Sequence, residues 1–208
     1  MTGARAHRTR VHIVEDDALV RDALAACAES AGHSVSAHRD AESFLAALNT
    51  DDVGCVVIDV GLPGMGGIEL ISALARMGSE MPILAISGGN DVSAAVRALK
   101  GGAMDFIEKP FHPDHFVRNL DEAMRRGAAR SAEKAERREA EAKVALLSDR
   151  EREVMTLVAD GASNAQAAVQ LGISVRTVEN HRARLMEKMQ ARGLSDLVRM
   201  VLRLAARP

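Results

Sequence analysis

The chain has 208 residues, 27 Lys and Arg against 29 Asp and Glu, and 47% hydrophobic residues. That length leaves room for two small domains or one mid-sized one, and the composition excludes wholesale disorder. Aromatics are 2%, with no Trp and no Tyr, so the core must be built from Ala, Val, Leu, Ile and Met, and the composition argues against base-stacking modules, which need aromatic platforms.

Charge is uneven along the chain. Residues 1–120 carry −6, residues 121–147 carry +1 and residues 148–208 carry +3, so the two ends are suited to different partners. The basic start is followed by an apolar stretch that breaks at Glu15-Asp16-Asp17, unlike a signal peptide. No run reaches the roughly 18 apolar residues of a membrane span, so a soluble, cytoplasmic chain with no membrane contact is expected. Cys27 and Cys55 are too few for a disulfide framework or a zinc site, and both read as small buried residues.

In chain order, strands are expected at residues 11–15, 34–38, 54–59, 82–87 and 104–108. They alternate with helices at 18–31, 41–48, 68–76, 91–100 and 114–124. Cys55-Val56-Val57-Ile58 is apolar at every position, as a parallel strand covered on both faces should be. Five βα units with short connections predict an α/β domain built on a doubly wound five-stranded parallel sheet, order 2-1-3-4-5. Residues 125–147 are mostly Ala, Glu, Arg and Lys, with Gly127 the sole Gly, and read as a solvated helical linker. Glu133 with Arg137 and Glu139 with Lys143 have favourable i,i+4 spacing.

The last part predicts a small all-α domain. Ser148 with Glu151 has capping-box spacing and opens a helix to Ala159. Ser163 or Asn164 caps a second helix to Leu171, Gly172 makes a tight turn, Ser174 caps a third helix to about Met189, and Ser195 caps a fourth. Two helices joined by a short Gly-containing turn form a helix-turn-helix signature. Val178, Leu185 and Met189 share one face of the third helix and read as core. Met155, Met186 and Met200 read as gap-filling core residues, and the apolar fourth helix divides between packing and pairing with a second copy.

Ligands of such sheets sit at the carboxyl ends of the strands. Glu15 and Asp16 end the first strand and Asp59 the third, a convergence that calls for a neutralising cation. Oxygen-only donors without His or Cys suit Mg²⁺ or Mn²⁺. Ser87 ends the fourth strand and Lys109 follows the fifth, giving a hydroxyl and an ammonium suited to a phosphoryl group. Helix capping alone explains Asp17 and Asp91 but not this combination.

Val14-Glu15-Asp16-Asp17, Ile58-Asp59 through Met65, Ile86-Ser87-Gly88 and Phe106 through Phe111 resemble the receiver domain of bacterial two-component response regulators. Leu147 through Glu151 and Thr177 through Arg182 resemble the LuxR-type DNA-binding domain, and the pair in this order is similar to the FixJ-like subfamily. The resemblance divides the chain into a receiver at 1–124, a helical linker at 125–147 and a helix-turn-helix domain at 148–208. It implies that Asp59 accepts a phosphoryl group from a sensor histidine kinase, with Glu15, Asp16, Asp59 and the Gly61 carbonyl holding Mg²⁺. Ser87 and Lys109 would bind the phosphoryl oxygens, Pro110 would follow a cis bond, and Ser87 with Phe106 would form the switch. It further implies a homodimer on phosphorylation that controls transcription from double-stranded promoter DNA, with RNA polymerase as a further partner.

Glu15 stands where Asp is more usual, which changes its reach, and Gly61 and Gly88 lack side chains that often govern access to the phosphoryl group. For DNA, the resemblance places Arg176, Thr177, Glu179, Asn180, Ala183 and Arg184 near base edges. Arg182, Lys188 and Asn164 are expected at phosphates. His181 fits either a phosphate or a packed interface, and Ala165 and Gln166 replace the charged residues that are commoner there. An aspartyl-phosphate phosphatase reading fails because position 61 is Gly rather than the acid it needs. The chain is thus expected not to be an enzyme beyond its own phosphorylation. A phosphate sink or an RNA-binding regulator are the alternatives, and the DNA-binding half and the scarcity of aromatics oppose them.

Overall fold

The computed structural model describes residues 9–49, 52–89 and 92–205, and the chain divides into two compact units between Ser131 and Ala132. In the first unit, β1 (Thr9–Val14), β2 (Val35–His38), β3 (Val53–Asp59), β4 (Ile83–Gly88) and β5 (Asp105–Lys109) form one parallel sheet in the order β2-β1-β3-β4-β5. The helices between them are α1 (Ala18–Ser30), α2 (Ala41–Ala47), α3 (Gly67–Arg76) and α4 (Val92–Lys100), and α5 (Pro113–Ala145) follows β5. Of the expected fourth helix, Asp91 lies outside the described residues.

Strand alternation sorts the core into two layers. Val11, Ile13, Cys55, Val57, Leu84, Ile86 and Ile107 pack against α1 and α5 through Leu24, Ala28, Phe116 and Leu120. Val14, Val56, Ile58, Ile83 and Ala85 pack against α2, α3 and α4 through Phe44, Leu70, Ile71 and Ala98. β3 is buried at all seven positions, which explains its unbroken apolar sequence. Chain order reverses direction across the sheet between β1 and β3, so a crevice opens at their carboxyl ends.

α5 differs from expectation. The fifth helix and the helical part of the linker are one continuous helix of 33 residues. Its middle is not wholly solvated: Gly127 lies buried against β3, where an added Cβ would stand 2.3 Å from the Gly54 carbonyl oxygen. Cys55 is fully buried, which pushes its thiol up to about 12, but Cys27 is only half-buried at the edge of the first layer.

The second unit holds α6 (Asp149–Ala159), α7 (Asn164–Leu171), α8 (Val175–Met189) and α9 (Leu194–Ala205). Val154, Val158, Ala167, Val178, Leu185, Met189 and Leu197 form its core, with Met155 buried and Met186 and Met200 packed at its edge. Ser148 and Glu151 make the expected capping box. Ser163 is the cap of α7, with Asn164 its first helical residue, and Gly172 ends that helix in the left-handed conformation. The expected cap at Ser195 is not formed; Ser195 lies inside α9, whose first turn bonds back to the Gly193 carbonyl. Among the described residues, no helix is long and apolar enough to cross a membrane.

Candidate functional site

Each acidic residue reaches the rim through its strand. Glu15 directly follows β1, and its amide bonds to the His38 carbonyl at the end of β2. Asp59 is the last residue of β3. Carboxylate oxygens of Glu15, Asp16 and Asp59 all lie within 4.8 Å of one another, with Glu15 and Asp59 buried and Asp16 exposed. Asp17 turns away: its carboxylate caps α1, accepting from the Leu19 and Val20 amides at 2.8 and 3.2 Å. Gly61 is exposed beside Asp59, and a Cβ there would make ordinary contact with Asp59 Oδ2 at 3.4 Å.

Lys109, at the end of β5, reaches across the rim. Its Nζ donates to Glu15 Oε2 at 2.7 Å and stands 3.4 Å from Asp59 Oδ1. Glutamate's extra methylene brings Glu15, rather than Asp59, into the closer contact. Burial raises the Glu15 pKa, opposed by the Lys109 hydrogen bond and reinforced by the charge of Asp59. Burial pulls the Lys109 ammonium down, but the Glu15 bond and the Asp59 charge outweigh it and raise its pKa. The Lys109–Pro110 peptide is cis, as the resemblance implies.

Ser87 is buried near the end of β4, and parallel register pairs it with Glu108 while Ala85 pairs with Phe106. Ser87 and Ala85 are two apart, so Ser87 and Phe106 share one sheet face. Phe106 is half-buried against the layer under α3 and α4. Arg21 is a further residue of the site. From α1 its guanidinium donates to the carbonyls of Glu15 at 2.8 Å and Asp16 at 3.1 Å, holding the turn that presents both carboxylates. Nothing in its local sequence distinguishes it from any other helix arginine.

In the second unit, Arg176, Glu179, Asn180, Ala183 and Arg184 are exposed along α8, while Val178, Leu185 and Met189 turn inward. Thr177 is half-buried, its hydroxyl 2.8 Å from the hydroxyl of the capping Ser174. Arg182 donates to Asn164 Oδ1 at 2.9 Å, bracing α8 on α7. His181 is half-buried, and its Nδ1 has no partner. Gln166 makes a second capping box, accepting from the Ser163 amide at 2.8 Å. The Ser163-to-Gln166 spacing was a legible signal for it.

Lys188, expected at a phosphate, makes two contacts within its own domain. Its Nζ donates to Glu151 Oε2 at 2.7 Å and to the Leu146 carbonyl at 3.1 Å. A buried carboxylate of its own domain holds the ammonium, because Glu151 has no other cation beside it to balance its charge among the described contacts.

A doubly wound sheet with an acidic rim, followed by a helix-turn-helix, defines a DNA-binding two-component response regulator. Residues 11–121 match the response regulator receiver domain, and residues 145–201 match the bacterial regulatory proteins of the luxR family. The transcriptional regulatory protein FixJ of Bradyrhizobium diazoefficiens is 43% identical over 193 residues, covering 93% of this chain and 94% of that protein. The C4-dicarboxylate transport transcriptional regulatory protein DctR of Rhodobacter capsulatus is 41% identical over 192 residues, covering 91% and 98%. Among solved structures, the response regulator StyR superimposes with a TM-score of 0.83 at 34% identity, covering 94% of this chain and 98% of that one. Full-length FixJ from B. japonicum gives 0.58 at 41% identity, covering 98% and 100%. The chain belongs to the FixJ-like response regulators, which join a receiver to a LuxR-type DNA-binding domain.

Proposed function

We propose that phosphoryl transfer to Asp59 switches this chain into a dimer that binds a two-fold-symmetric promoter site. The observation that carries the reading is the meeting of Glu15, Asp16 and Asp59 with Lys109 at the carboxyl rim of the sheet. A phosphohistidine of a sensor histidine kinase is the donor. A carboxylate oxygen of Asp59 attacks phosphorus, an O–P bond forms as the P–N bond breaks, and the imidazole leaves. Lys109 turns from Glu15 toward the new phosphoryl oxygens, and the Ser87 hydroxyl donates to another.

The clustered oxygen donors fit a hard divalent cation, so Glu15, Asp16, Asp59 and the Gly61 carbonyl would hold Mg²⁺ or Mn²⁺. Bound there, the cation would supply charge neutralisation between the acceptor carboxylate and the incoming phosphoryl oxygens. Phe106 follows Ser87 inward and reshapes the surface of α4 and β5. Val92, Val96 and Leu99 lie exposed on α4 at helical spacing, an apolar stripe suited to a second copy.

Two joined recognition helices gain the specificity that one cannot supply, with Arg176, Thr177, Glu179, Asn180, Ala183 and Arg184 toward base edges and Asn164 and Arg182 toward phosphates. The working division is a receiver at 1–124, a linker at 125–147 and a DNA-binding domain at 148–208, with RNA polymerase the further partner of the bound dimer. Intact mass after acetyl phosphate and Mg²⁺ tests the acceptor: one added phosphoryl group on the wild type and none on Asp59→Asn. Phosphate appearing on that variant would sink the assignment. Sedimentation with beryllofluoride should convert monomer to dimer, and a species that stays monomeric yet binds DNA tightly would refute the pairing.

A further inference from the structure

Lys188 and Glu151 sit at a junction of three chain segments in the second unit. The Glu151 carboxylate accepts from the Ser148 amide at 2.9 Å and from Lys188 Nζ at 2.7 Å, and Lys188 also binds the Leu146 carbonyl at 3.1 Å. One ammonium thus ties the far end of α8 to the start of α6 and to the chain leading into it. The Glu151 side chain is 4% exposed and the Lys188 side chain 38%. Resting on the proposed reading of DNA by α8, we propose that the Glu151–Lys188 pair is a positioning clamp that sets the axis of the recognition helix, with neither residue touching DNA.

Geometry makes the clamp consequential. The apolar contacts among Val154, Val158, Val178 and Leu185 resist separation but tolerate sliding, because dispersion and burial have no direction. Two fixed points define a line. Arg182 on Asn164 braces the middle of α8, and Lys188 on Glu151 braces its end. Arg176 lies 12 residues before Lys188, about 18 Å along the helix at 1.5 Å per residue. With the clamp lost, α8 pivots about its Arg182 brace, about 9 Å from Arg176, so a tilt of about 5° moves the reading turn by about 0.8 Å, beyond the roughly 0.5 Å that a bidentate contact tolerates.

Glu151→Gln separates the clamp from its rivals. Glutamine keeps the capping acceptor, as Gln166 does for Ser163, and removes one negative charge from a DNA-binding domain. By charge alone that change should strengthen DNA binding. The probe is a duplex selected by the wild-type full chain, with beryllofluoride, from a random-sequence pool, together with a copy carrying one mismatched base pair per half-site.

The clamp predicts that Glu151→Gln and Lys188→Met each lower the selected-to-mismatched affinity ratio at least about fivefold, equivalent to losing one base contact. Their double variant should lose no more than either single, and Lys188→Arg should restore most of the ratio. Far-ultraviolet circular dichroism and thermal unfolding identify folded variants, and the double variant, which leaves no unpaired buried charge, keeps the test usable if a single one unfolds.

A lower salt slope for Lys188→Met, with weakening equal on both duplexes and Glu151→Gln unaffected, would make Lys188 a phosphate contact and overturn the clamp. Loss of thermal stability with an unchanged ratio would reduce the pair to a structural tie and overturn it equally. A wild-type chain that selects no sequence would instead remove the DNA-reading assignment beneath it.

Discussion

Acidification should weaken the receiver unit through one buried imidazole. His12 lies in the middle of β1, 3% exposed, with neither ring nitrogen hydrogen-bonded. It stacks on His38 at 5.8 Å and meets Phe44 edge-on at 5.4 Å. Burial lowers its pKa from 6.5 to about 4; Asp52, 3.9 Å away, opposes that shift, and His38 and Arg10 add to it. Below pH 6.5 the unfolded chain takes up a proton that the folded chain refuses. The contribution of neutral His12 is therefore complete above that pH and is lost as pH falls toward 4.

The full gap corresponds to about 3 kcal/mol, of which about 2 kcal/mol is lost between about pH 7 and about pH 5. Hydrogen exchange of the β1 amides at both pH values reports the opening free energy of this unit separately from the second. His12→Leu, close in volume, should lose about 2 kcal/mol less than the wild type over that interval. The remaining loss would include His38, which burial also lowers. Equal losses in the two proteins would refute the assignment of the acid sensitivity to His12.

Gly127→Ala offers a test of opposite signs. On helix propensity alone it should stabilise by about 1 kcal/mol, whereas the 2.3 Å approach to the Gly54 carbonyl predicts destabilisation of about 1–3 kcal/mol. Thermal unfolding decides between them, and a raised midpoint would disprove the close contact. Arg176→Ala or Asn180→Ala should remove about 1–3 kcal/mol of discrimination between the selected duplex and its mismatched copy. Competition binding measures it, and a uniform weakening across sequences would mean that α8 meets the groove in another orientation.

The sequence by itself determined the strands and the caps at Ser148 and Ser174 from local pattern, and the strand order from the run of βα units. It did not determine the start of α9, which lies before Ser195. Unbroken apolar runs mark β3 as covered on both faces, and Ser148 with Glu151 and Ser174 mark helix starts by spacing. The residues of the acidic rim were also legible, since a doubly wound topology sends strand ends to one crevice. What each side chain touches there was not. That Lys109 lies closer to Glu15 than to Asp59 depends on one methylene of reach across two intervening strands.

Arg21 holding the Glu15 and Asp16 carbonyls, Gly127 against Gly54, and Lys188 against Glu151 join residues far apart in the chain or through the backbone. Local periodicity carries no trace of such pairings. Lys188 shows the difference most plainly: as a basic residue on a recognition helix it suits a phosphate, and only the packing of α6 on α8 shows that a buried carboxylate holds it first. An ammonium goes to the least solvated opposite charge within reach, and which charge is within reach is decided by the fold.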